Sequence, residues 1–147
     1  MITVFVSDVT NSGSITALEK TLAFVEARNR MLSENIANIT TPGYRTKQLD
    51  VSAFRAALKE ASGRREESGG ELELSSTEQF QTDSAGMLNV TPTEEPAENL
   101  SFQDGTNARI ERQMALLGEN TLMGRVVTDL LRFNLDLVDS AVRGRVR

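Results

Sequence analysis

The sequence predicts a mainly α protein in which long N- and C-terminal helices pair as a coiled coil around a small polar, partly irregular insert. Three observations carry that expectation. Apolar residues recur at alternating three- and four-residue intervals over residues 15–39. A second stretch, residues 107–143, carries two such rows. The segment between them is acidic and punctuated by Pro and Gly, with ten acids and two bases from Ala61 to Asp104.

In the first helix the seam runs through Ile15, Leu18, Leu22, Val25, Leu32, Ile36 and Ile39, with Asn29 at the one polar step. Ser14 is the expected N-cap, and a lone Asn in such a seam fixes register at a cost in stability. Next comes Asn35-Ile36-Ala37-Asn38-Ile39-Thr40-Thr41-Pro42-Gly43-Tyr44, a helix stop. Pro42 disfavours helical geometry at Thr41, and Pro42-Gly43 fits the centre of a type II turn with positive φ at Gly43. Asn35 and Asn38 can satisfy loose backbone groups at the helix end, while Tyr44 brings a ring whose hydroxyl needs a partner.

A short helix is expected over residues 49–61, capped by Asp50 or Ser52, with Phe54, Ala57, Leu58 and Ala61 on one face and Gly63 ending it. Residues 64–70 read as a loop. Leu72 and Leu74 alternate with acids, and Leu88 and Val90 with polar residues, which suggests one weak hairpin at most. Residues 91–96 form a turn or linker. The last helix places Ile110, Met114, Leu117, Leu131, Leu135, Val138 and Val142 on one row, interrupted by Thr121, Gly124 and Thr128. A second row holds Leu116, Met123, Val127, Leu130 and Leu137, with Asn120 and Asn134 between them. One helix with two adjacent stripes can touch two neighbours. Four segments follow: residues 1–39, 40–62, 63–106 and 107–147.

Composition narrows the function. The 147 residues include no Cys, no His and no Trp, and the net charge is -5. Disulfide frameworks, thiol nucleophiles and histidine bases are excluded, and no general nucleic-acid surface is advertised. Glu66, Glu67, Glu71 and Glu73 are the densest carboxylates, but they lie in a Gly-rich stretch without a base or a metal partner, so a solvated loop is the better reading. No cofactor, metal site or small-molecule substrate is expected. The start of the chain has neither a basic region nor an apolar run long enough for a cleaved signal peptide.

The string Asn35-Ile36-Ala37-Asn38 followed by Thr41-Pro42-Gly43-Tyr44 resembles the N-terminal signature of the bacterial flagellar rod and hook family. Residues 49–54, Leu-Asp-Val-Ser-Ala-Phe, and Glu111-Arg112-Gln113-Met114-Ala115-Leu116-Leu117-Gly118-Glu119-Asn120-Thr121-Leu122 are similar to patterns of a short, proximal rod member. The resemblance covers about half of the chain. It implies a structural subunit without enzymatic activity, whose terminal helices pair and whose copies stack into a hollow rod that transmits motor torque. The implied partners are further copies, other rod proteins, the rod-to-ring junction protein, the membrane-supramembrane ring and the flagellar type III export apparatus. It further implies a periplasmic location reached without a cleaved signal peptide. The rival expectation, a cytosolic coiled-coil scaffold, needs only the heptads and leaves the Asn-Ile-Ala-Asn and Thr-Pro-Gly-Tyr string unexplained.

Overall fold

A computed structural model describes residues 12–68, 70–95 and 106–144. The described elements are helix α1 (Ser12–Asn38), strand β1 (Lys47–Gln48), helix α2 (Val51–Ser68), strands β2 (Phe80–Thr82), β3 (Leu88–Val90) and β4 (Thr93–Glu94), and helix α3 (Thr106–Val142). The long helices α1 and α3 pack against each other, as the heptads predict. They run antiparallel, with Asn35 opposite Gln113 and Val25 opposite Gly124.

The seam between them is close. A Cβ placed on Gly124 would stand 3.1 Å from Val25 Cγ1, so glycine lets the two backbones approach. Asn120, buried in the same seam, donates from Nδ2 to the Val25 carbonyl at 2.9 Å. This bond pins the register. The sequence reading gave that task to Asn29, which instead sits half-buried and lines a groove between the helices.

On another side of α1 lies the main core. Phe24 and Phe54 stack at 4.2 Å, and Phe80 meets each ring edge-on at 5.8 and 5.7 Å. Ala27, Met31, Leu32, Leu49, Ala57, Ala61, Leu72, Leu74 and Leu88 close around them. Three of the chain's seven aromatics thus meet at one point, where each ring adds area burial and edge or face contacts. Phe24, Ala27 and Met31 form a second row on α1, beside the heptad seam. It gives α1 two apolar faces, one for α3 and one for the insert.

Several expectations are corrected. Ser14 lies inside α1, not at its cap, because the helix starts at Ser12; residues 1–11 lie outside the described residues. Helix α2 runs through Gly63 to Ser68, so residues 64–68 are helical. A mid-helix glycine costs only about 1 kcal/mol, and here Arg64 fastens the following turn to the Glu73 carbonyl at 3.1 Å and Ser75 Oγ at 3.2 Å. Two small antiparallel pairings exist where at most one hairpin was expected. In one, Phe80 pairs with Val90 and Thr82 with Leu88; in the other, Lys47 pairs with Glu94. Gln79 ties the pairings together: its Nε2 donates to Thr93 Oγ1 at 2.6 Å, and its Oε1 accepts from the Asp50 amide at 2.9 Å. Leu72 and Leu74 are buried in extended chain outside any ladder.

The last correction concerns α3. Met114 and Leu135, expected in the seam, are 55% and 49% exposed. The row that meets α1 runs through Leu117, Asn120, Gly124, Val127 and Leu131, between the two rows read from the sequence. The contact line is rotated because Gly124 and Asn120 dictate where the backbones can approach.

Candidate assembly site at the end of the first helix

The Asn-Ile-Ala-Asn and Thr-Pro-Gly-Tyr string folds as one unit. Asn35 is its centre, with 0% of its surface exposed. Its Oδ1 accepts from the Lys47 amide at 2.9 Å and from the Tyr44 hydroxyl at 3.0 Å. Its Nδ2 donates to the Lys47 carbonyl at 2.8 Å and to Gln113 Oε1 at 3.4 Å. A single amide therefore satisfies both backbone groups of Lys47, fixes the Tyr44 ring and reaches across to α3. An amide offers an acceptor and two donors, which is what this position requires.

Around this clamp the helix ends cleanly. Asn38 Nδ2 donates to the Glu34 carbonyl at 2.9 Å, and the Thr41 amide donates to the Asn38 carbonyl at 2.8 Å. The Tyr44 amide donates to the Thr41 carbonyl at 3.1 Å, which closes a four-residue turn with Pro42 and Gly43 at its centre. Gly43 has φ +78°, the geometry of a type II turn. Thr41, Pro42, Gly43 and Ala37 are exposed, and Asn38 is half-buried. The site thus has a buried polar clamp beneath a solvent-facing turn.

Its electrostatics are local. Lys47 Nζ donates to Glu34 Oε1 at 2.6 Å, and this hydrogen bond raises the ammonium above its ordinary pKa. Burial pushes the Tyr44 phenol up, reinforced by Glu34 and opposed by Lys47, so Tyr44 stays protonated and its hydroxyl remains a donor. Beyond the turn, Asp50 caps α2: Oδ1 accepts from the Ala53 amide at 2.9 Å and the Ser52 hydroxyl at 2.6 Å. Those bonds, with Ser52 first, hold its carboxyl below the usual range. Further up α1, burial lowers the Arg28 guanidinium, with Glu119 opposing and Arg55 adding to the effect.

The expected packing residues divide by depth. Val25 and Leu32 are buried; Ile15, Leu18, Leu22, Ile36, Leu117, Leu131 and Val138 are half-buried. Gln113, the link from the motif to α3, was missed because one polar residue in a periodic stretch gives no signal of its own. Leu122, Val126 and Phe133, all exposed on α3, were absent from both expected rows. Glu66, Glu67, Glu71 and Glu73 are exposed; Glu71 and Glu73 line an open hollow of about 710 Å³ together with Glu19, Lys20 and Asp83, and Glu66 and Glu67 lie outside it. Among the described residues no helix is long and apolar enough to cross a membrane, and no cluster of three metal-ligating residues exists.

No family model matches the chain, and no solved structure matches it. A curated relative does. Over 133 residues the chain is 23% identical to the flagellar basal body rod protein FlgB of Bacillus subtilis (strain 168), covering 90% of this chain and 95% of that protein. The alignment covers nine-tenths of the chain, so it takes in the insert as well as most of both long helices.

Proposed function

We propose that this chain is a structural subunit of the bacterial flagellar rod, with no enzymatic activity of its own, and that it occupies the proximal part of the rod as a counterpart of FlgB. The observation that carries the reading is the similarity to that rod protein at matching length. Two features of the molecule support it. The signature string forms a built unit, with a buried clamp and an exposed turn. In addition, α3 leaves Leu122, Met123, Val126, Leu130, Phe133 and Leu137 exposed on one flank, more apolar surface than a solitary helix normally shows water. Copies associate through their terminal helices, side by side with other rod proteins, below them the junction to the membrane ring. The chain reaches the periplasm through the flagellar export apparatus without losing its N-terminus.

The test is a strain lacking the gene. It should be non-motile and build no rod, and the chain should be recovered in basal bodies isolated from the complemented strain. Normal swimming by the deletion strain, or a chain confined to the cytosol, would overturn the reading.

A further inference from the structure

Helix α3 carries unlike surfaces on its two flanks. At about 100° per residue, Leu122, Val126, Leu130, Phe133 and Leu137 form a ridge roughly 140° around the helix from the row that meets α1. Their exposures run from 44% at Leu137 to 63% at Leu122. Leu122, Val126 and Leu130 follow one another at four-residue steps, the spacing of a ridge that seats in a helical groove. No charged side chain interrupts that line, and Asp129 and Asp136 stand along its outer edge.

The opposite flank holds a groove. It lies between α1 and α3, has a volume of about 490 Å³, and is floored by Val25, Asn29, Thr121 and Gly124. The floor is low because Gly124 has no side chain and Thr121 turns its hydroxyl back to the Leu117 carbonyl at 2.8 Å. Arg30 and Arg125 stand on its rim with Glu26. Arg45–Glu94, Lys47–Glu34 and Arg143–Asp139 are ion pairs within the chain. Arg30, Arg125, Asp129 and Asp136 belong to none of them.

We propose that the Leu122–Leu137 ridge of one copy seats in the Val25–Gly124 groove of the next, with Asp129 and Asp136 against Arg30 and Arg125. The inference rests on the rod reading and names the two faces through which copies meet. Because ridge and groove lie on opposite flanks, each seated copy still offers a free ridge or a free groove. The contact is therefore heterologous and open-ended, as a polymer requires. A ridge-to-ridge pair would instead close after two copies, leave both arginines unpaired and set Asp129 beside its own counterpart.

The absence of native Cys makes a disulfide test clean. Asn29→Cys marks the groove and Leu130→Cys marks the ridge. Within one chain these cannot bridge: Asn29 shares the groove with Thr121, and Leu130 lies about 13 Å further along α3 at about 1.5 Å per residue, beyond disulfide reach. Mild oxidation of basal bodies holding the double variant should give a ladder of dimers, trimers and higher multiples. Each single variant should stay unlinked. Adding Thr121→Trp, which fills the groove, should remove the ladder while the far-UV circular dichroism of the purified chain is unchanged. Dimers from Leu130→Cys alone, or no link in rods that contain the double variant, would overturn the proposal and leave the rod reading standing. Should the double variant stay out of rods, the same oxidation on the concentrated purified chain decides, and an absent ladder there counts against the proposal.

Discussion

At the residue scale the molecule depends on Asn35. Its one side chain serves the Lys47 amide and carbonyl, the Tyr44 hydroxyl and Gln113. Asn35→Leu keeps the volume and leaves those groups buried without partners, so unfolding in urea should show a loss of about 2–4 kcal/mol. Tyr44→Phe removes one neutral hydrogen bond and should cost about 1 kcal/mol. Gly43 makes a different demand. A Cβ there would meet nothing within 4 Å, so the constraint is the φ of +78° alone. Gly43→Val forces a β-branched residue into the left-handed region, at a cost of about 1–2 kcal/mol, and should impair rod assembly in a motility assay. Gly43→Asn, which tolerates that region, should be milder.

At the element scale the caps and seams decide. Asp50 closes the first turn of α2, and its folded-state carboxyl is held below the ordinary value by Ser52 and the Ala53 amide. Its contribution is therefore present above the unfolded-state pKa near 4 and lost as pH falls through the lower folded value. Thermal unfolding of the wild type should lose more stability below about pH 4 than that of Asp50→Ala, which lacks the cap throughout and costs about 1 kcal/mol at neutral pH. In the seam, Leu22→Asp with Ile36→Asp places two carboxylates on half-buried positions of α1. The double variant should still be exported and should fail to enter the rod, as read by fractionation of secreted and basal-body material. The two long helices and the Asp50 cap were legible because periodicity and capping are local signals. The continuation of α2 past Gly63 was not, since it depends on Arg64 reaching Glu73 and Ser75. Nor was the face of α3 legible: heptads show that a helix is two-sided, while Gly124 against Val25 selects which line becomes the contact. The triple-Phe core escaped for a similar reason, because Phe24, Phe54 and Phe80 come from three separate segments.

At the scale of the whole molecule, buried and exposed apolar surface are divided by helix. Helix α1 spends both of its faces inside the chain, on α3 and on the insert; α3 spends one and leaves the other to solvent. Leu130→Lys with Phe133→Lys should leave the fold and melting temperature near wild type, since both positions face water, and should abolish concentration-dependent association in sedimentation. The candidate site was half legible. Its string marked the turn, and its geometry shows that the same string reaches the far helix through Gln113. Positions 35 and 113 are separated by 78 residues, so the bonds of Asn35 to Lys47 and Tyr44 close within α1 and its turn, while the fourth, to Gln113, waits for α3. A copy truncated before α3 keeps the bonds of Asn35 to Lys47 and Tyr44 but loses its reach to Gln113 and the Asn120 bond to Val25.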